Sequence, residues 1–340
     1  MSITAGLDVG GAHLKVALTE SGRTVAAEQF HCPLWQGMDR LDAALTAAAP
    51  LLSRATRHAI TMTGELSDQF PDRKTGVITL TARLVREFGP EAKFWMGARG
   101  FGAAADAMKY ASDVGSTNFL ATAELVARTH SEALLIDFGS TTADIIPITG
   151  AKPAPRGLTD ADRQTTGELV YTGYTRTAVM GITNRAPFKG QWVTLAREYL
   201  ATMADIRRIL NLLADDVDLH ATADGRGKSV PESLNRLARM LGRDASEGSY
   251  GDWKSAAFFV REEQLRSIYD GALQVLSCQS LPPDAPVIGA GIGFEETAAI
   301  ASRLGRKCIA FSQLAKAADE CRIAATYFAP AVAVALLAET

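Results

Sequence analysis

The chain has little of what several specialised classes of protein depend on. Only four of its 340 residues are cysteine, Cys32, Cys278, Cys308 and Cys321. No two stand as a CxxC pair, so neither a disulfide scaffold nor a thiolate metal finger is written into it. The five histidines complete no finger spacing either. Lys and Arg (35) do not outnumber Asp and Glu (38), and the net charge is -3. Without clustered base there is no footprint for a phosphate backbone, and no nucleic-acid partner is expected. No apolar run reaches the roughly 20 residues of a membrane span. Ile323 to Ala338 comes nearest, but it is Ala-rich and contains Pro330, so a buried terminal helix and no membrane partner are expected. The N-terminus enters a strand with no basic leader or small-residue cleavage site. With the unpaired cysteines, this places the expected location in the cytoplasm.

What is present suits an enzyme acting on small molecules. Hydrophobic residues make up 47% of the chain and charged residues 21%, and at about 150 residues per domain the length suggests two domains. Period-two alternation predicts a meander of Ile3 to Asp8, Leu14 to Thr19 and Thr24 to Phe30. Helix, strand, helix and strand follow over Met38 to Leu52, His58 to Met62, Thr75 to Phe88 and Lys93 to Met96, then a helix from Ser116 to Arg128. Strands Ala133 to Ile136 and Ala143 to Ile148 begin the pattern again, so a first lobe is expected over 1–130 and a second over 131–320. The segment 157–252 is polar and irregular, with helices near Leu195 to Leu213 and Ser229 to Leu241, and reads as a substrate-binding insertion. A long helix from Trp253 to Gln279, a strand at Pro286 to Ile288 and a glycine turn opening a helix come next. The last helix, 321–340, is expected to cross back to the first lobe.

Two acidic glycine turns carry the chemistry: Asp8-Val9-Gly10-Gly11 and Asp137-Phe138-Gly139-Ser140-Thr141-Thr142. Each sits between two β-like runs, where small residues let backbone N–H groups approach an anion. Two such hairpins suggest a jaw closing on phosphates from both sides. A diphosphate carries about three charges and needs a hard cation and converging donors. Lys15 could supply one charge, although strand parity leaves it open to face the first loop or solvent.

GLDVGGAHLK at 6–15 and LIDFGSTTADI at 135–145 resemble the two phosphate loops of the actin, sugar kinase and Hsp70 superfamily. VIGAGIG at 287–293 resembles its third, nucleotide-side turn. The fold implied is α/β: two actin-like, ribonuclease H-like lobes with a phosphate-binding cleft between them. In that superfamily the aspartates hold Mg²⁺ through water, which here implies Asp8 and Asp137. Amides and hydroxyls contact phosphates, which implies Gly10, Gly11, Gly139, Ser140, Thr141 and Thr142, with Gly289, Gly291 and Gly293 from the third turn.

DFGSTTADI looks closer to the hydantoinase A and oxoprolinase branch. With TMTGELSDQF at 61–70, GELVYTGYTRT at 167–177 and TADGRGK at 222–228, the chain resembles the methanofuran-type cofactor synthases over nearly its whole length. That resemblance implies a transferase joining an aminomethylfuran-methyl diphosphate to the phenol of γ-glutamyl-tyramine or γ-glutamyl-tyrosine with release of diphosphate. The setting it implies is tetrahydromethanopterin-linked one-carbon metabolism, with Mg as cofactor. Whether ATP or ADP is also bound stays open, as does a homodimer.

Further candidates follow from residue chemistry. Glu65 or Asp68, on the loop after Met62, could take the phenolic proton, and Thr63 begins that turn. Arg73 and Arg176 offer planar forks for phosphate or carboxylate. Tyr171 and Tyr174 could stack on an aromatic substrate, and the turn at Asp224, Gly225, Arg226 and Lys228 could close over it. His13 stands where nucleotide-hydrolysing relatives carry Thr or Ser. His220 lies beside Asp215, Asp216 and Asp218, as a metal ligand or at a solvated helix end. The competing readings are an ATP-dependent kinase or lactam-opening hydrolase, and a nucleotide-gated scaffold.

Overall fold

A computed structural model of the chain describes residues 2–214, 216–278 and 281–339. The first sheet has the order β3-β2-β1-β4-β5-β6. Its strands are β1 (Ile3–Val9), β2 (His13–Glu20), β3 (Arg23–His31), β4 (Arg57–Met62), β5 (Lys93–Trp95) and β6 (Phe101–Gly102). The meander β1–β2–β3 is antiparallel, while β4 and β5 join β1 in parallel. Parallel pairing requires crossovers, supplied by the helices α1 (Asp39–Leu52) and α2 (Arg73–Phe88). Asp72 starts α2 by accepting from the Thr75 N–H at 2.8 Å, and Gly89 ends it at φ 81°. Two short helices, α3 (Ala104–Lys109) and α4 (Ala111–Val114), lead to α5 (Asn118–Ala127).

The second sheet repeats the first, with the order β10-β8-β7-β13-β14 and β9 attached to β8. Here β7 (Ala133–Phe138) and β8 (Ala143–Thr149) form the hairpin, followed by β9 (Lys152–Pro153) and β10 (Leu169–Val170). The strands β13 (Val287–Ala290) and β14 (Cys308–Ala310) lie parallel to β7. Every residue of β7 is buried, as expected of a strand covered on both faces. The short helix α6 (Asp160–Thr166) lies between β9 and β10, and α10 (Phe294–Arg303) and α11 (Phe311–Leu314) flank β14.

The insertion has an apolar cluster of its own, running from Val179 to Val260. It packs the hairpin β11 (Arg185–Phe188) and β12 (Gln191–Thr194) with α7 (Met203–Leu210), α8 (Val230–Met240) and α9 (Tyr250–Cys278). The residues before Met203, expected as helix, are not. Thr202 and Asp205 form a capping box that starts α7 there. The expected end of the long helix, Gln279, lies outside the described residues.

The two lobes exchange helices. α5 packs on β7, β8 and β9 of the second sheet, so an expected boundary at 130 assigns to the first lobe a helix that rests on the second. The chain's last helix, α13 (Ala329–Leu337), packs on β1, β2 and β4 of the first sheet and also against α5. All nine residues of α13 are buried. Burying Val332, Val334, Leu336 and Leu337 contributes on the order of 6–12 kcal/mol of transfer free energy before ordering costs.

The tail is not one helix, as expected, but two: α12 (Arg322–Tyr327) and α13, bent by 106°. Pro330 has no N–H for the Thr326 carbonyl, and that carbonyl instead accepts from Gly291 N at 2.9 Å. Among the described residues no single helix is long and apolar enough to cross a membrane.

Candidate functional site

The turns of the β1–β2 and β7–β8 hairpins line one cavity of about 450 Å³. They are built alike: Gly10 N donates to His13 O at 3.0 Å, and Gly139 N donates to Thr142 O at 2.9 Å. Each glycine lies two residues after an aspartate. Both glycine amides close their own turns, so Gly10 and Gly139 shape the cavity rather than offer the N–H groups expected of them. Gly11, Ser140, Thr141 and Thr142 also line it.

The aspartates differ in their cross-strand partners. Asp8 faces Lys15 in the β1–β2 register, whereas Asp137 faces Asp144 in β7–β8. Lys15 points into the cavity and donates to Asp8 Oδ2 at 3.0 Å. Burial works against its ammonium, but the Asp8 and Asp137 carboxylates outweigh it and raise its pKa. Asp8 is 1% exposed and lies behind Lys15 rather than on the cavity wall, with no hydrogen-bond partner for Oδ1 among the described residues. Asp137 does line the cavity, and its carboxyl is pushed up to about 7, first by burial and then by Asp144, with Lys15 opposing and Asp8 adding.

Arg176 reaches the cavity from the GELVYTGYTRT segment, donating Nη1 to Thr141 Oγ1 at 2.9 Å and lying over the Trp35 ring at 5.3 Å. That segment also clasps the second loop through Tyr174 N to Gly139 O (2.9 Å) and Arg176 N to Ser140 O (3.1 Å). Gly173 makes the close approach feasible, because a Cβ there would overlap the Ser140 carbonyl and the Thr141 amide. A third cation, Arg163, holds Asp144 Oδ1 at 2.5 Å and stacks 3.5 Å over Phe119.

Other expected residues fall elsewhere. The third turn does not reach the cavity. Gly291, at φ 81°, seats under Asp137 and Phe138, where a Cβ would come within 2.5 Å of Asp137 Oδ1. Gly293 packs on the Phe138 ring and Gly289 on Phe294. These three support the second loop from below. Arg73 is tied to Asp160 at 3.2 Å across the lobes and is absent from the cavity wall, which Asp160 joins instead. Asp224 accepts from Arg236 Nη1 at 3.0 Å and from Arg226 N at 3.1 Å, away from the cavity.

Tyr174 is core, with its hydroxyl on Leu212 O at 2.6 Å, whereas Tyr171 and Thr63 line the cavity together with Asp68. Glu65 lies beneath the wall, behind Ser116. His220 packs edge-on against His13, their ring centroids 4.6 Å apart, instead of at a solvated helix end. Burial, and next Arg176, pushes its pKa down to about 4. Its expected neighbour Asp215 lies outside the described residues.

Sequence reading missed Arg163, Asp144, Ser116, Asn118 and Trp35, all on the wall. Two signals were available. Asp144 is the hairpin mate of Asp137, as Lys15 is of Asp8. Gly115-Ser116-Thr117 repeats the triplet of Gly139-Ser140-Thr141. The wall thus carries three cations, Lys15, Arg163 and Arg176, against four carboxylates, Asp68, Asp137, Asp144 and Asp160. Among the described residues no three His, Cys, Asp or Glu side chains converge to hold a metal ion directly.

A family model described as hydantoinase/oxoprolinase matches residues 57–313. A (4-{4-[2-(γ-L-glutamylamino)ethyl]phenoxymethyl}furan-2-yl)methanamine synthase of Methanocaldococcus jannaschii is 34% identical over 240 residues, 70% of this chain and 71% of that protein. One of the same description from Methanococcus vannielii is 34% identical over 114 residues, 34% of this chain and 51% of that protein. In fold, the chain is similar to a ROK family glucokinase from Streptomyces griseus crystallised with glucose and AMPPNP, at TM-score 0.50, 14% identity and 98% coverage of both chains. Acetone carboxylase, nucleotide-free, aligns at TM-score 0.55 and 10% identity, over 95% of this chain and 70% of that one. These structures share the actin-like two-lobed α/β fold.

Proposed function

The chain belongs to the hydantoinase/oxoprolinase family and, within it, to the (4-{4-[2-(γ-L-glutamylamino)ethyl]phenoxymethyl}furan-2-yl)methanamine synthases, and we propose that it transfers an aminomethylfuran-methyl group from its diphosphate to a phenol. The acceptor is γ-glutamyl-tyramine or γ-glutamyl-tyrosine, and the leaving group is diphosphate. The reaction serves methanofuran-type cofactor synthesis for tetrahydromethanopterin-linked one-carbon metabolism, in the cytoplasm.

The observation that carries this reading is the meeting of both hairpin turns at one cavity with Lys15, Arg163 and Arg176 on its wall. A furan-methyl carbon that loses diphosphate leaves a cation delocalised into the ring, so the barrier is chiefly charge separation. Fixed cations and hydroxyls aimed at the departing diphosphate lower it, and one such donor is worth about 3–4 kcal/mol. Lys15, held in place by Asp8, faces the diphosphate from the first loop, and Arg176 with Thr141 faces it from the second. Tyr171 and Trp35 offer aromatic faces for the furan or the phenol.

The donor set fits a hydrated Mg²⁺. The wall has one more carboxylate than cation, Asp137 is crowded by Asp144, and Mg²⁺ keeps several waters while leaning on one or two carboxylates and substrate phosphate. Asp137 would hold it, through water. Asp8 contributes through Lys15, and its Oδ1 has no partner among the described residues. When bound, the ion adds positive charge against the diphosphate oxygens.

The test is mass spectrometry of the protein with Mg²⁺, the furan-methyl diphosphate and γ-glutamyl-tyramine. One condensed ether and free diphosphate are expected. Rapid ATP turnover with a small acceptor, and no ether, would transfer the site to ATP-dependent chemistry.

A further inference from the structure

One carboxylate of this region has no part in gripping phosphate. Glu65 sits on the single turn Gly64–Leu66 after β4 and is 1% exposed. Its Oε1 accepts a 2.6 Å hydrogen bond from Ser116 Oγ, and its Oε2 has no hydrogen-bond partner among the described residues. An unmet buried polar atom costs on the order of 1–3 kcal/mol, so the fold sustains this arrangement at a loss.

The surroundings are shaped around the carboxylate. A Cβ on Gly115 would lie 2.8 Å from Glu65 Oε1. Ser116 itself is held at φ 55°, a left-handed conformation that serine seldom adopts, with its N–H on Met62 O at 3.1 Å. That conformation leaves Ser116 on the cavity wall beside Thr63 and Asn118 while its hydroxyl reaches Glu65 below. The charged groups that face Glu65 are Arg73 and Asp160, which act in opposite senses and are paired with each other.

We propose that Ser116 and Glu65 form the proton-accepting pair of the site: Ser116 Oγ takes the proton of the acceptor phenol while passing its own to Glu65 Oε1. The inference rests on the transferase reading above. The phenol oxygen forms the new bond to the furan methylene carbon. The carbon–oxygen bond to diphosphate breaks, its electron pair leaving with the diphosphate. The phenolic proton ends on Ser116 Oγ, and the former serine proton ends on Glu65.

A buried carboxylate is a stronger base than one in water, and general-base help of this kind contributes about 10²–10⁴-fold. In support, burial pushes the Glu65 carboxyl up to about 7, against the Ser116 hydrogen bond, its own amide and Arg73, with Asp160 adding to the rise. Asp68, also on the wall, is exposed to water.

The experiment compares wild type, E65Q and S116A with γ-glutamyl-tyramine and with a ring-nitrated analogue whose phenol is ionised at neutral pH. Glutamine keeps an oxygen for the Ser116 hydroxyl but takes no proton. E65Q is expected to lose about 10²–10⁴-fold in kcat with the ordinary phenol, with KM for the furan diphosphate within about threefold, and to flatten the acidic limb of the pH profile near 7, leaving the part that Asp137 contributes. S116A is expected to lose at least about tenfold, and the nitrated acceptor to restore most of the rate in both variants. A role confined to bracing the turn would leave the acidic limb as steep as in wild type and the ionised phenol without benefit, and either result overturns the pair. If wild type yields no ether from either acceptor, the transferase reading falls and this step with it. Wild-type turnover with an unimpaired E65Q removes the pair alone.

Discussion

Lys15 stands directly across the β1–β2 hairpin from Asp8 and places its ammonium 3.0 Å from Oδ2, which turns a buried carboxylate into the anchor of a cavity cation. In the second hairpin the same place opposite Asp137 is held by Asp144. One loop therefore presents a neutral pair and the other a crowded pair of like charges, whose relief falls to Arg163 and to whatever cation the substrate brings.

Lys15→Met is expected to abolish turnover and to destabilise the protein by about 3–5 kcal/mol, because Asp8 stays buried with its charge unmatched. The double variant Asp8→Asn with Lys15→Met should regain most of that stability without regaining activity. Urea unfolding and product formation, measured side by side, separate the two effects. A single variant as stable as wild type would show that Asp8 is not held by Lys15.

Arg176→Ala is expected to lower kcat/KM by about 10²–10³-fold, the usual effect of deleting one donor to a developing anion. Arg176→Lys should recover little, since an ammonium cannot reproduce a planar fork that reaches Thr141 while lying over Trp35. Calorimetric titration with pyrophosphate and Mg²⁺ should show weakened binding in both.

Gly173→Ala tests the clasp on the second loop. The added methyl meets backbone atoms of Ser140 and Thr141, which cannot swing aside as a side chain would. A loss of about 1–3 kcal/mol in stability is expected, together with weaker pyrophosphate binding. Unchanged binding would mean that the loop does not set the site.

Glu65 makes stability depend on pH. Its folded-state pKa, about 7, lies above its ordinary 4.5, so the folded protein holds this proton more tightly than the unfolded chain does. The contribution is whole below about pH 4.5 and is lost as pH rises through 7, by up to about 3 kcal/mol. Glu65→Gln, neutral throughout, should match wild type near pH 5 and exceed it at pH 8 in urea unfolding. Asp137, also raised to about 7, contributes with the same sign, so some slope persists in the variant. A variant less stable than wild type at pH 8 would contradict the assignment.

Much of the framework was legible because its causes are local. Alternation and a glycine turn define β1–β2 and β7–β8 within a few residues each, and α1, α2 and α9 follow from helical periodicity. The insertion was less legible. β11 and β12 are four residues each, one contains Pro187, and the face that β11 buries is supplied by α9. The site divided in the same way. Gly11, Ser140, Thr141, Thr142, Tyr171 and Arg176 were read from motifs and do line the cavity. Arg73 and Asp224 offer chemistry that any surface arginine or turn aspartate offers, and the structure gives both to ion pairs.

By itself, the sequence determined the two hairpins, their acidic glycine turns and the repetition of one lobe by another, because turn chemistry and side-chain alternation act over neighbours in the chain. Only the tertiary structure decided that Lys15 faces the cavity, that the third glycine turn serves Phe138 instead of a ligand, and that Ser116 stands between Glu65 and the cleft. Those outcomes depend on which surfaces are brought together when α13 packs on the first sheet and α5 on the second, contacts between segments far apart in the chain that no local pattern encodes.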